Sequence, residues 1–440
     1  MMDNFFATCK VLGYISVNGF KYLYNKFVDR YILSEDNLHA KLLAQPYNNW
    51  DKFIIDTCES IKGVNIFYIK AIQAASSDCD MFSHNVRDYM DDYSDNVPYD
   101  ASEFDINNIC KILASKNIRI NKIPIASGTV ACVFKGEDNE KIYAIKIKRK
   151  NIDEKIRQSC KDMREIISLL SFLPFVKHLN ILSTFDENLP YIYQQLDFNN
   201  EYLNIQRVYN ANRRNSMYIT PQPYYQEVTQ EFENIIIMDY LDGMKLIEVP
   251  DENKDKFCSL VAKFGIKSIF FDGFTHGDLH QGNCRFLIDK DDDGNDFEKL
   301  IVYDFGILCN IEEDEKDIMY RVCKNFFSKK YDVAGKIILD EITSPDDVRE
   351  KLSNEDYNKI HDITTSWSRD TVGYKKIVSP KDIHDLSSDL AKYNLTTKDW
   401  FGKIIMSFAV HESMAKALSV NKTFLEYTEE IVKETEDLLG

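Results

Sequence analysis

The stretch His276-Gly-Asp-Leu-His-Gln-Gly-Asn283, followed a short distance on by Asp304-Phe-Gly306, holds the residues of this chain best equipped for chemistry. Asp278 and Asn283 stand five positions apart. That is the spacing of a phosphoryl-transfer loop in which the aspartate orients an acceptor hydroxyl and the asparagine holds a metal ion. Asp304 then supplies the second metal ligand. The chemistry asks for these types because Mg²⁺ is a hard ion that takes oxygen donors and neutralises charge on the group in transit. Asp-Phe-Gly alone recurs by chance, but the two motifs in this order form a specific signal.

A nucleotide also needs a phosphate cradle upstream, between two strands. Ala126-Ser-Gly-Thr-Val-Ala131 occupies that place and follows the pattern G-x-G-x-x-G with both outer glycines replaced by alanine. Alanine resists positive φ and puts a methyl group where backbone would approach phosphate. Read alone, the loop is equally an ordinary strand turn. Thirteen residues past Val133, Tyr143-Ala-Ile-Lys146 sets a lysine where one grips the α and β phosphates. Met238 and Tyr240, at the end of the apolar run Ile235–Tyr240, complete a candidate nucleotide-binding set of Ala126, Ser127, Gly128, Thr129, Val130, Ala131 and Lys146. A lysine buried near phosphates requires a carboxylate partner. Glu165 and Glu201 both lie on helical text beyond the strand, and spacing does not choose between them.

These residues need elements to hold them. Residues 1–105 read as helical, with apolar positions at helical spacing through Phe53, Ile54, Cys58 and Ile61, and the pattern stops at Asn96-Val97-Pro98. From Ile118 the period changes to two, which predicts a three-strand antiparallel meander over Ile118–Ile123, Ala131–Phe134 and Ile142–Ile147. Helical text follows over 153–172 and 193–209, then a polar stretch, 210–230, that reads as a surface excursion. A buried strand at 235–240, a long helix over 251–272, a hairpin of Cys284–Ile288 with Leu300–Tyr303, and an acidic helical remainder complete the chain. The expected divisions are 1–105, 106–243 and 244–440.

Lys and Arg number 54 against 71 Asp and Glu, a net charge of −17 that argues against a nucleic-acid partner. Ten scattered cysteines with no C-x-x-C pair read as reduced thiols of an intracellular compartment. The amphipathic stretch Val11–Phe20 is too short to cross a bilayer and lacks a cleavage site, so the expectation is a soluble or peripheral protein with no signal peptide or transmembrane helix.

Four blocks resemble the UbiB-like (aarF-domain, ADCK) atypical kinases, over roughly residues 55–345. Ile69-Lys-Ala-Ile-Gln-Ala-Ala-Ser-Ser-Asp-Cys-Asp80 is similar to the family's KxGQ segment, with Ile72 in place of the glycine. Pro124–Ala131 resembles its alanine-rich loop, although Gly128 departs toward the ordinary kinase pattern. Gln195-Leu-Asp-Phe-Asn-Asn-Glu201 resembles its ExD block, and His276–Asn283 with Asp304 its metal-binding core. The resemblance implies an α+β, bilobal protein-kinase-like fold with a helical amino-terminal extension packed over the active-site cleft. It implies Mg-ATP or Mg-ADP as cofactor, and a lipid or isoprenoid acceptor or a peripheral membrane surface as partner. It makes Glu201 the partner of Lys146, and Lys70, Gln73, Gln195 and Asp197 a regulatory lid in which Lys70 meets Asp197, since Gln195 replaces the first acid.

Aminoglycoside- and choline-type small-molecule kinases share H-G-D-x-H-x-x-N, but not the Lys70 block or the alanine loop. No A-P-E tripeptide follows Gly306, which argues against a peptide substrate. Asp289-Lys-Asp-Asp-Asp-Gly294 starts like a calcium loop but lacks the acid at its twelfth position, Leu300, and reads as a solvated turn. His280 is expected to shape its loop, and Cys132 and Cys284 to be buried strand residues. The resulting expectation is an Mg-dependent ATPase or phosphotransferase in which Asp278, Lys146 and Glu201 are catalytic and Asn283 and Asp304 bind metal. The rival readings are a nucleotide-binding pseudokinase scaffold and a small-molecule phosphotransferase.

Overall fold

The computed structural model describes residues 49–62, 97–170, 181–290, 296–346, 352–373, 380–418 and 424–439, with Lys21, Val86, Gly294 and Lys422 as single positions. Helix α1 (Asn49–Lys62) realises the first apolar stripe, burying Ile54 and Cys58 with Val86 in a small cluster. Lys70 and Gln73 lie outside the described residues. After a capped turn at Ala101–Glu103, α2 (Ile106–Ala114) leads into β1 (Arg119–Ser127), β2 (Ala131–Glu137) and β3 (Ile142–Lys148), the expected meander.

Two helices, α3 (Ile152–Leu170) and α4 (Ile181–Gln194), pack on each other through Ile156, Cys160, Phe185, Leu189 and Ile192. Helix α5 (Phe198–Asn212) follows a tight turn. Residues 210–230 differ from the expected surface excursion. Tyr218, Thr220, Val228 and Thr229 are all buried. The stretch forms β4 (Tyr218–Ile219), β5 (Pro223–Tyr224) and α6 (Gln226–Phe232), with Thr220 just past β4. Two-residue strands are too short to print a period, and Pro223 is tolerated because β5 is an edge strand.

With β6 (Ile235–Asp239) the meander becomes a five-stranded sheet in the order β1-β2-β3-β6-β5. Its register pairs Val133 with Lys146, Lys146 with Ile236, and Ala144 with Met238, so these side chains share one face. The opposite face carries Phe134, Ile145, Ile147 and Ile237 and packs on Ile109 and Leu113 of α2 and Val228 of α6. One side of the sheet is therefore core, and the other presents a lysine.

The expected helix over 251–272 resolves into a short turn, α7 (Lys254–Lys267), and a wide π-turn over Ser268–Asp272 that ends at Gly273, φ +70°. Then come β7 (Phe274–His276), the hairpin β8 (Cys284–Lys290) and β9 (Asp296–Val302), and β10 (Leu308–Asn310). β10 pairs with β7, and β4 runs parallel to β9. The remainder is helical, as expected: α8 (Glu313–Phe327), α9 (Tyr331–Ile337), α10 (Asn354–Ser368), α11 (Pro380–Ala391), α12 (Asp399–Ala417) and α13 (Phe424–Leu439). A small pair of β11 (Thr343–Ser344) with β12 (Thr396–Thr397) interrupts it.

The chain divides into two units, residues 1–202 with 223–240, and residues 203–222 with 241–440. No described helix is long and apolar enough to cross a membrane. The eight described cysteines are free thiols.

Helices α9 and α10 meet at Gly335, where a Cβ would stand 2.6 Å from the amide nitrogen and 2.8 Å from the Cα of Thr365. Backbone cannot step aside as a side chain can, so Gly335→Ala is expected to destabilise the fold by about 1–3 kcal/mol in equilibrium urea unfolding. At Gly402, inside α12, a Cβ would meet nothing within 4 Å. There the same substitution should stabilise by about 0.5–1 kcal/mol, because helix propensity is the only change.

Candidate active site

In the first unit the site begins with Lys146 on the non-core face of β3. Its Nζ lies 2.6 Å from Glu201 Oε1, in a pair whose side chains are 13% and 1% exposed. Glu201 reaches the lysine from the first turn of α5, and Asp197 fixes that turn: its Oδ1 accepts from Asn200 N and its carbonyl from Glu201 N. Capping by a side chain satisfies amides that the helix leaves unpaired. Phe198, fully buried below, faces both Lys146 and Lys148 at 5.8 and 5.6 Å from its ring centre. Glu165, the other candidate partner, is exposed on α3. Gln195 is half-buried in the turn before α5. The expected approach of Lys70 to Asp197 falls outside the described residues.

The loop Ala126–Ala131 is tied down. Gly128 N donates to Ala131 O at 2.9 Å, Ser127 Oγ donates to Val97 O at 2.5 Å, and Val130 packs against the α3–α4 cluster. A Cβ on Gly128 would come no nearer than 3.4 Å to its neighbours, so this glycine is not sterically required. Cys132 Sγ bonds Ser127 Oγ, yet burial still pushes its thiol up, which makes it a structural residue and not a nucleophile. Met238 is buried on the same sheet face as Lys146, and Lys135 lies 4.7 Å over the ring of Tyr240.

In the second unit the turn 277–283 runs between β7 and β8. His276 is buried at the end of β7; its Nδ1 accepts from Asp278 N, so its Nε2 carries the proton and donates to Tyr303 O at 3.2 Å. Burial pushes the His276 pKa down, so the ring stays neutral in this arrangement. His280 Nδ1 accepts from Gly282 N and caps the following turn, the shaping role expected of it. Asn283 Nδ2 donates to Asp278 O at 2.8 Å, which turns the amide oxygen away from that contact. Tyr303 N donates to Asn283 O, so the next residue, Asp304, emerges beside Asn283.

Asp304 has φ +51°, a left-handed conformation that costs a non-glycine residue about 1–2 kcal/mol. Gly306 N donates to its Oδ1, and Asn204 Nδ2 of α5 donates to Phe305 O. Arg207, one turn beyond Asn204, donates to Asn310 Oδ1 and Gly273 O and stacks on Phe274, clasping β7 to β10. Neither residue stands out in the sequence analysis, although Glu201, Asn204 and Arg207 recur at the three-residue spacing that puts them on one helix face. Cys284 sits fully buried with its thiol pushed up to about 12.

Among the described residues no three His, Cys, Asp or Glu side chains cluster to hold a metal by protein ligands alone. The oxygen donors Asn283 and Asp304 suit Mg²⁺, which is commonly bound by one or two protein ligands together with substrate phosphates.

The family model described as the ABC1 atypical kinase-like domain matches residues 108–337, more than half of the chain. A mitochondrial ABC1 family protein of Saccharomyces cerevisiae is 25% identical over 252 residues, covering 50% of this chain and 38% of that one. An uncharacterized protein of Synechocystis is 25% identical over 221 residues, 46% of this chain and 50% of its own. The chain thus spans half or less of these relatives. Among solved structures, Rv3197 of Mycobacterium tuberculosis in complex with erythromycin gives a TM-score of 0.47 at 16% identity, covering 89% of this chain and 95% of that one. The Rio2 kinase–ADP/Mg²⁺–phosphoaspartate complex of Chaetomium thermophilum gives 0.30 at 10% identity, covering 74% and 94%.

Beneath β7, Thr275 Oγ1 bonds Ser407 Oγ of α12, and His411 Nδ1 donates to Ser407 O at 2.6 Å. Burial pushes the His411 pKa down to about 4. The unfolded chain binds a proton near pH 6.5 that the folded one refuses, so this contribution is complete above about 6.5 and is lost as pH falls toward about 4. Urea unfolding at pH 7, 6 and 5 should show stability dropping by up to about 1.4 kcal/mol per pH unit from this group, and His411→Gln should flatten the slope.

Proposed function

The chain belongs to the ABC1 atypical kinase-like family, and from that premise we propose that it binds Mg-ATP or Mg-ADP and acts as an ATPase or phosphotransferase on a non-peptide acceptor, a lipid or small molecule. The observation that supports the reading is the backbone bond from Tyr303 N to Asn283 O, which joins the turn just before β8 to the segment just after β9, where Asn283 and Asp304 offer two oxygen donors. Magnesium held by Asn283 and Asp304 would neutralise charge developing on the phosphates.

The remaining work falls to the chain itself. Lys146, directed by Glu201, grips the α and β phosphates. The loop 126–131 covers them, with Met238 on β6 and Tyr240 just beyond it bordering the base. Asp278, oriented through His276 and Asn283, accepts the proton of the attacking hydroxyl or water as the phosphoryl group leaves ADP. The short connection after Gly306 supports a non-peptide acceptor: β10 begins two residues later and α8 starts at Glu313, so little chain is left to form a peptide platform.

Thermal-shift titration tests the site before any acceptor is known. MgATP should stabilise the wild type, and Asp304→Asn should abolish the Mg²⁺-dependent part of that shift; an undiminished shift overturns the metal assignment. Asp278→Asn should keep nucleotide binding while lowering single-turnover phosphate release, measured with and without lipid or detergent, by about 10²–10⁴-fold. A variant as active as wild type would refute the role of Asp278.

A further inference from the structure

Arg149, one residue beyond β3, is an arginine with almost no access to solvent, its side chain 1% exposed. Its guanidinium meets the loop and the chain that enters it. Nε and Nη2 donate to Gly128 O at 3.1 and 2.9 Å, and Nη2 also donates to Ser127 Oγ at 2.9 Å. Nη1 donates to Pro98 O at 3.2 Å and pairs with Glu103 Oε2. A buried guanidinium is tolerable only when its donors are used, and this fork places two of them on a single carbonyl.

That carbonyl belongs to the peptide joining Gly128 to Thr129. The only cis peptide among the described residues is Ser344–Pro345, so the Gly128–Thr129 bond is trans. In a trans planar peptide the C=O and the next N–H point in opposite directions. Clamping Gly128 O toward Arg149 therefore aims the Thr129 N–H the other way. Neither Thr129 N nor Val130 N has a hydrogen-bond partner among the described residues, and the Thr129 hydroxyl is buried without one. Successive unpaired amides of this kind form an anion-binding nest. If the peptide turned over, Gly128 O would face the ligand and repel it.

Resting on the nucleotide reading above, we propose that Arg149 is a positioning residue that fixes the polarity of the phosphate loop, so that the Thr129 and Val130 amides are presented to the phosphates of a nucleoside di- or triphosphate before it arrives. The residue touches no ligand and acts through the Gly128 carbonyl. Loss of this control selectively weakens phosphate recognition and spares recognition of the nucleoside.

The test compares MgATP with adenosine by thermal-shift titration on wild type and Arg149→Lys. Lysine keeps the charge and can still meet Glu103, but a single ammonium cannot reproduce the fork on Gly128 O together with the bonds to Ser127 and Pro98. MgATP affinity should fall about tenfold, the factor one lost hydrogen bond to a charged group carries, with adenosine affinity unchanged within about twofold. Should Arg149→Lys fail to fold, Glu103→Gln, which loosens the guanidinium without touching the loop, should give the same selective loss at about two- to threefold. Equal losses for both ligands, or no loss for either, would reduce Arg149 to a structural brace and overturn the proposal. A wild-type protein that responds to no nucleotide would instead remove the underlying reading.

Discussion

A lysine and a glutamate withdrawn from water and held 2.6 Å apart are a costly arrangement, and much of the surrounding structure in the first unit serves it. Each charge alone would carry a desolvation penalty of several kcal/mol, and removing one partner of such a pair costs about 3–5 kcal/mol because the other is stranded. The pair therefore needs both elements fixed. β3 is fixed by neighbours on either side in the sheet, and the start of α5 by the Asp197 cap. Phe198 fills the space that water would otherwise occupy below the lysine.

The second unit solves a different problem. Its chemistry-bearing side chains sit on turns, which have little regular structure of their own, so backbone bonds between turns replace it. His276 spans from Asp278 N to Tyr303 O, Asn283 from Asp278 O to Tyr303 N, and Gly277 N reaches Ile307 O. In each case one side chain or amide holds two segments distant in sequence. The left-handed Asp304 persists because its neighbours are tied on both sides, Tyr303 N to Asn283 O before it and Asn204 Nδ2 to Phe305 O after it, while Gly306 N donates to its own Oδ1.

What could be read from sequence followed the length scale of the signal. Alternation over four to six residues revealed β1 to β3, and the close spacing within His276–Asn283 revealed a loop whose parts do contact one another. The partner of Lys146 was not legible from periodicity, because Glu165 and Glu201 both sat on helical text; only the family resemblance pointed to Glu201, and in the structure Glu165 faces solvent. The stretch 210–230 misled because its anchors are two-residue strands and single buried side chains such as Tyr218, which leave no pattern in a polar background. Nothing in the local sequence marks Arg149. Its burial depends on Glu103 and Pro98, more than forty positions earlier, and no local window contains that information.

Each unit is assembled from two separate stretches of chain, since residues 203–222 leave the first unit and 223–240 return to it. During synthesis β3 therefore emerges with its later neighbour still unmade, and the row Ile145 and Ile147 waits as an open, apolar sheet edge until β6 follows almost ninety residues on. Neither unit corresponds to a contiguous fragment. A chain cut anywhere between β3 and β6 would leave that edge bare and open to pairing with another chain.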